Sequence, residues 1–343
     1  MTINYQAAVV HNVGGPMTFD EREAPQLGPR EALIKLRATG VCHSDVHTVD
    51  GDWLVPPPLP SVPGHEGIGE VVALGSEVQG VEIGELLGIG WNNRACGECS
   101  FCQDGWETLC DNLTIHGYHI DGSFAHYMVV DTKYAARIPE GADVLEVAPL
   151  LCAGVTVYKG LKQASATPGS WVAVVGVGGL GHLAVQYARA MGYRVVAVDI
   201  NSDALELAQE HGAEFVVNSR DADAAEQITA RIPGGPATVF VSATHPSAYE
   251  LAIQVVRKHG TVICIGIPAS AVSVHMYDVA ARGLTLLGST VGTRKDIEES
   301  IDYHTRGLVK PTVTARRFDE LNDIIDELRS GRAHGRSVVD FSL

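Results

Sequence analysis

Residues 171–191 restrict the fold more than any other stretch of the chain. Trp171-Val172-Ala173-Val174-Val175 is a short, continuous apolar run, and Gly176-Val177-Gly178-Gly179-Leu180-Gly181 follows it directly. Leu180, Leu183, Ala184, Tyr187, Ala188 and Met191 then recur at the spacing of one helix face. A buried strand, a G-x-G-x-x-G turn and an amphipathic helix together make the opening unit of a parallel βαβ sheet. The glycines have a physical purpose. They let the backbone turn sharply and let a pyrophosphate approach without a Cβ in the way, and the helix N-terminus offers unpaired N–H groups. In a chain with 37 glycines the motif by itself is weak, so its place between strand and helix is what gives it weight.

The alternation continues downstream. Strands are predicted at Arg194–Asp199, Phe215–Val217, Val239–Ser242 and Thr261–Gly266. Helices are predicted at Leu205–His211, Ala222–Arg231 and Ala248–Lys258. Repeated β-α-β at this spacing gives a doubly wound parallel α/β sheet. Asp199 closes the second strand, 18 residues after Gly181. A carboxylate there accepts from both adenosine ribose hydroxyls and repels a 2′-phosphate, so the expected cofactor is NAD rather than NADP. The bland alternative, that Asp199 merely caps the next helix, is weakened by Asn201 and Ser202, which suit that task better.

Before residue 167 the texture is different. Short apolar runs such as Ala32–Leu36, Gly69–Leu74 and Leu86–Ile89 are broken by Gly and Pro, with little helical periodicity. This reads as an irregular, mostly β region. The tail is mixed, with a helix near Leu321–Arg329 and a closing strand near Ser337–Phe341.

Charge narrows the function classes. The chain has 343 residues and a net charge of −16, a surface that repels nucleic-acid backbones and anionic membranes. The uncharged stretch 163–188 holds Pro168 and four glycines of the turn, and its periodicity changes halfway, which excludes a membrane span. Met1–Tyr5 carries neither the basic nor the apolar part of a secretory signal, so the expected location is cytoplasmic.

Four of the seven cysteines crowd together. Cys96, Cys99, Cys102 and Cys110 form C-x2-C-x2-C-x7-C, the thiolate set of a closed tetrahedral zinc site. An iron–sulfur cluster is the rival, but no second cysteine set and no proline follows Cys110. A closed site of this kind leaves no room for substrate and staples a loop that lacks its own core. Cys42, His65 and Cys152 are separated by 23 and 87 residues, which is no metal signature by itself. Cys264 reads as a strand residue, and His116, His119 and His126 as surface or packing residues.

Taken in order, Cys42-His43-Ser44-Asp45, Gly64-His65-Glu66-Gly67, the four-cysteine loop and the glycine motif resemble the zinc-dependent medium-chain alcohol dehydrogenases. Gly51-Asp52-Trp53, Trp91, Gly105–Cys110 and Val291–Asp296 resemble the yeast and bacterial ethanol-type branch, and the likeness spans essentially the whole chain. The resemblance implies that Cys42, His65 and Cys152 hold a catalytic zinc with one position open to substrate, a ligand set for which alcohol dehydrogenase is the standing example. It implies that Asp45 orients His65, that Glu66 sits behind the metal, and that Ser44 takes the alcohol proton and passes it by way of the ribose to His47. His43 and Arg336 are expected at the pyrophosphate, Thr156 near the nicotinamide, and Trp53 and Trp91 as walls of a narrow substrate pocket.

The implied architecture is a GroES-like, mostly β catalytic domain, residues 1–153 and 287–343, interrupted by a Rossmann domain, residues 154–286. The implied activity is reversible, NAD-linked hydride transfer between an alcohol, a short primary one by the two tryptophans, and an aldehyde or ketone. Two zinc ions per chain and a homotetramer, with a homodimer as the alternative, complete the expectation. Polyol, thiol–formaldehyde and aryl-alcohol dehydrogenases share the same metal and cofactor groups. A non-catalytic, NAD-binding zinc protein is the rival from another class, and Cys42, His65, Cys152, Ser44 and His47 all being present argues against it.

Overall fold

The computed structural model describes residues 3–164 and 166–343. The chain forms two compact units. One comprises Met1–Cys152, Gly292–Ile301 and Pro311–Leu343; the other comprises Ala153–Val291 and Asp302–Lys310. The return to the first unit at Gly292 lies beyond the 287 expected from sequence, and 302–310 goes back to the second.

In the second unit, the described residues give six parallel strands in the order Phe215–Asn218, Arg194–Asp199, Trp171–Val175, Thr238–Val241, Thr261–Cys264 and Thr285–Gly288. In chain order this is 3-2-1-4-5-6, the dinucleotide-binding arrangement, and its switch point lies between the strands that start at Trp171 and Thr238. The central strands are apolar on both faces because helices cover both: Ala173, Val175, Val196, Val198, Val239 and Val241 are buried together. The helix Gly181–Ala190 buries Leu183, Ala184, Tyr187 and Ala188, the stripe that its sequence spacing specifies.

The stretch 166–188 divides into a loop, a strand and a helix, and no single helix among the described residues is long and apolar enough to cross a membrane.

The first unit is built on a seven-stranded sheet. Its longest strand, Glu31–Gly40, pairs antiparallel with Gly67–Leu74, with Tyr127–Asp131 and with the closing strand Arg336–Asp340. Ile34, Leu36, Val71, Leu87, Ile89 and Met128 form a core beneath it. Where periodicity gave no helix, residues His43–Asp50 form one. Only Val46 and Val49 are apolar there, so the apolar pattern is too sparse to read. Its ends carry the signal instead. The backbone N–H of Cys42 donates to the Asp45 carboxylate at 2.8 Å, and Gly51 closes the helix at φ 68°.

Candidate active site and metal centres

The long strand and the helix after it bring Cys42 to the end of the sheet, and the neighbouring strand begins just after Gly64-His65-Glu66. Cys152 ends the first segment of the first unit. These three residues, remote in sequence, meet. Ligand atoms of Cys42, His65, Glu66 and Cys152 all lie within 4.8 Å of one another, and all four residues are buried. The Cys42 and Cys152 sulfurs are 4.0 Å apart, and His65 Nε2 is 3.3 Å from Cys152 Sγ. Tetrahedral zinc with Zn–S near 2.3 Å sets its sulfurs roughly 3.8 Å apart, so the donor set fits that ion.

Protonation points the same way. The adjacent Cys152 sulfur, helped by His65, pulls the Cys42 thiol well below its usual range despite burial, while Cys152 is pushed well above. Burial opposes charge on His65, but the Asp45 carboxylate outweighs it and raises the imidazole well above its ordinary value. A buried thiolate and a buried imidazole ringed by further donors form a cradle for a divalent cation.

Asp45 organises this cluster. Its carboxylate accepts from His65 Nδ1 at 2.9 Å, from the Cys42 backbone N–H and from the Gly64 backbone N–H at 3.2 Å. Nδ1–H stays committed to Asp45, so a cation that displaces the other ring proton meets the Nε2 lone pair, turned toward the sulfurs.

Glu66 lies behind the sulfurs. Burial lifts its carboxyl to about 7 against the pull of Arg336, which donates to Oε1. Its Oε2 is buried without a hydrogen-bond partner. Gly40 makes the space: a Cβ there would lie 1.9 Å from Oε2. The Arg336 guanidinium, expected at a pyrophosphate, is itself buried and turned onto Glu66.

Around this centre stand the other expected residues. Ser44 lies in the first turn of the helix His43–Asp50, and His47 one turn on. His47 Nδ1 donates to Asp52 at 2.8 Å, and its ring meets that of His43 at 5.1 Å. Trp91 packs edge-on against His65 at 5.0 Å and lies tilted against Trp53 at 6.0 Å. Tyr118, which no sequence motif singles out, closes this aromatic wall on Trp53 at 6.2 Å and donates to the Val55 carbonyl. Asp52 likewise carried no recognisable signal beyond its place in the Gly51-Asp52-Trp53 motif.

The second cluster forms as spaced. Cys96, Cys99, Cys102 and Cys110 bring their sulfurs within 4.8 Å of one another, with Cys96 and Cys102 at 3.9 Å. Backbone N–H groups of Glu98 and Cys99 aim at Cys96 and draw its thiol down to about 6, while burial pushes Cys102 up to about 12. The apolar support here is slight: Ala95, Cys110, Tyr134 and a partly buried Leu113. Arg294 anchors the lobe, forking onto Glu107 at 2.9 Å and lying over the Tyr134 ring at 4.6 Å.

In the second unit the glycine turn adopts the strained geometry its composition allows. Gly176 sits at φ 90°, and a Cβ on Gly181 would lie 1.8 Å from the Gly176 carbonyl. Around Gly178 nothing lies within 4 Å. Gly179 and Leu180 complete the turn, with Leu180 at the helix N-cap position. Asp199 accepts from the Val177 N–H at 2.6 Å and from the Asn201 N–H at 2.9 Å. The N-cap of the next helix is Asn201, so Asp199 is not spent on capping it. Thr156 is buried within the helix Ala153–Lys162.

This fold and these two donor sets define a zinc-type, dinucleotide-binding oxidoreductase. Comparison with known proteins agrees. Residues 28–140 match the alcohol dehydrogenase GroES-like domain, and residues 179–306 match the zinc-binding dehydrogenase domain. An alcohol dehydrogenase of Moraxella sp. (strain TAE123) is 45% identical over 98% of this chain and 100% of its own. One from Geobacillus stearothermophilus is 42% identical over 97% of this chain and 98% of its own. The alcohol dehydrogenase of the archaeon Aeropyrum pernix superposes with a TM-score of 0.91 at 30% identity, over 98% of this chain and 99% of that one. The acetophenone reductase of Geotrichum candidum, solved with NAD, superposes at 0.88 and 31% identity, over 98% of this chain and 97% of that one. The chain belongs to the zinc-dependent medium-chain alcohol dehydrogenase family.

Proposed function

We propose that this chain is an NAD-linked, zinc-dependent alcohol dehydrogenase acting on short primary alcohols and, in reverse, on the corresponding aldehydes. The observation that carries this is the buried convergence of Cys42, His65 and Cys152 over the Asp45 carboxylate. Cys42, His65 and Cys152 would hold the catalytic Zn2+, and Cys96, Cys99, Cys102 and Cys110 the structural one. When bound, the catalytic Zn2+ supplies Lewis acidity at the alcohol oxygen and NAD+ supplies the hydride acceptor.

The chain's own residues do the rest. Ser44 Oγ would receive the alcohol proton while giving its own hydroxyl proton onward in the direction of His47. His47, one turn along the same helix, offers its Nε2 lone pair as the next proton acceptor because Asp52 holds its Nδ1–H. Trp53, Trp91 and Tyr118 exclude water and limit the length and branching of the alcohol. Glu66, buried and raised to about 7, is a carboxyl able to turn toward the cysteines as ligands exchange. The Gly176–Gly181 turn and the Asp199 carboxylate favour a dinucleotide with a free ribose 2′-hydroxyl, hence NAD over NADP. His43, Thr156 and Arg336 are assigned to cofactor contacts on the family likeness. We assign a cytoplasmic homotetramer, and light scattering on the purified protein checks the tetramer.

The test is the initial rate of NAD reduction over a graded series of primary and secondary alcohols, with and without a zinc chelator. Rates that peak at short primary alcohols and vanish with the metal support the reading. Trp53→Ala and Trp91→Ala should then move the optimum to longer or branched alcohols. Turnover unaffected by removal of zinc would overturn it.

A further inference from the structure

His43 and His47 lie four residues apart on one helix, so their side chains share a face. Their ring centres are 5.1 Å apart. Two imidazoles that share one ion at metal–nitrogen distances of about 2.0–2.1 Å have ring centres roughly 5 Å apart. His47 is also prepared as a ligand. Its Nδ1–H donates to Asp52 Oδ1 at 2.8 Å, which fixes the tautomer and leaves the Nε2 lone pair free to bind. His43 is exposed and no hydrogen bond ties its ring, so it can turn to meet the ion. This is the i, i+4 histidine spacing by which one helix face grips zinc, with the carboxylate behind one ring that metal-binding histidines commonly carry.

We propose that His43 and His47, with Asp52 behind His47, form a third, exposed site for a late divalent transition ion, separate from the two cysteine-containing clusters. Imidazole donors suit Ni2+, Cu2+ and Zn2+ in preference to Mg2+ or Ca2+. An ion on His47 Nε2 occupies the lone pair that would otherwise take up the relayed proton. Excess metal therefore inhibits this enzyme at a place other than its catalytic zinc. That consequence rests on the proton role of His47; the binding itself does not.

Calorimetric titration of the zinc-loaded protein with Ni2+ tests both parts. The expected result is one Ni2+ equivalent per chain beyond the resident zinc, lost in His43→Asn and in His47→Asn, with zinc content unchanged in each. Asp52→Asn should weaken Ni2+ binding by about 10- to 100-fold, as removal of the carboxylate behind a ligating histidine does. In parallel, turnover should fall as Ni2+ fills the site and recover on brief exposure to a chelator that leaves zinc in place. Equal Ni2+ uptake by the wild type and His43→Asn overturns the site. Ni2+ bound through both histidines with undiminished turnover overturns its inhibitory role. Since binding is read by heat, it is scored even in a preparation that shows no alcohol turnover, so failure here and failure of the proposed activity remain distinguishable.

Discussion

The Asp45 carboxylate joins His65 to Cys42: one oxygen accepts the imidazole Nδ1–H at 2.9 Å, and the other accepts the Cys42 backbone N–H at 2.8 Å. One buried side chain thus sets both the ring tautomer and the position of a sulfur that precedes it by three residues. Asp45→Asn keeps the size but removes the charge and one of the acceptors. Zinc retention should fall by about 10- to 100-fold while the sheet remains intact. Zinc content after dialysis against graded chelator, read beside the circular dichroism spectrum, checks this. Unchanged retention would show that the cysteines alone position the ion.

The glycine turn separates residues required by the fold from one that only a ligand requires. A methyl group at Gly181 collides with the Gly176 carbonyl at 1.8 Å, so Gly181→Ala should lower Tm and NAD affinity together. Gly178 has a negative φ and open space around its missing Cβ. Gly178→Ala should therefore leave Tm unchanged and weaken NAD binding by at least tenfold, about 1.4 kcal/mol, because only an approaching pyrophosphate meets that methyl. Fluorescence titration with NADH and a thermal melt on each variant decide it. Equal NADH affinity in Gly178→Ala and wild type would place the phosphates elsewhere.

The parallel sheet was legible because its strands are buried on both faces and read as unbroken apolar runs. Trp171–Val175 and Arg194–Asp199 fall at their expected limits. Less legible was the helix His43–Asp50, where two valines give almost no periodic signal and the ends, Asp45 and Gly51, carry the specification. The four-cysteine cluster could be read from spacing because it is local. The Cys42, His65 and Cys152 cluster could not, since sheet pairing and chain return bring those residues together, and only the resemblance pointed to it. Arg336, assigned to a phosphate by likeness, also makes a buried contact with Glu66 that its motif does not encode. Tyr118 and Asp52 act through contacts with Trp53 and His47 that no short motif encodes.

The lobe around Cys96–Cys110 has too small an apolar core to hold itself, and that makes its metal dependence measurable. Cys99→Ser should reduce zinc from two ions per chain to one, matching the two donor clusters, and should lower Tm. The zinc at Cys42, His65 and Cys152 should stay. Elemental analysis and a thermal melt of the purified variant test this. Loss of both ions would mean the two sites fold as one unit; loss of neither would remove the lobe from the list of metal centres.

His116 gives the fold an acid-sensitive point. The side chain is 2% exposed, its Nδ1–H donates to the Gly90 carbonyl at 2.8 Å, and its Nε2 is buried without a hydrogen-bond partner. Burial pulls this imidazole down to about 4. In the unfolded chain it titrates near the ordinary histidine value of about 6.5. The folded state therefore binds fewer protons between these two values. The stabilising effect is complete above pH ~6.5 and is lost as pH falls through ~4, by an amount of order 3 kcal/mol. His116→Asn keeps a side-chain N–H for Gly90 and removes the titration. The variant should be less stable than wild type at pH 7, and the difference should narrow or reverse by pH 4. Tm measured for both zinc-loaded proteins across that range gives the comparison, and subtracting one curve from the other removes the other carboxylates and histidines they share. Parallel curves would show that the His116 ring takes up a proton in the fold as readily as in water, and hence that its Nε2 finds a partner.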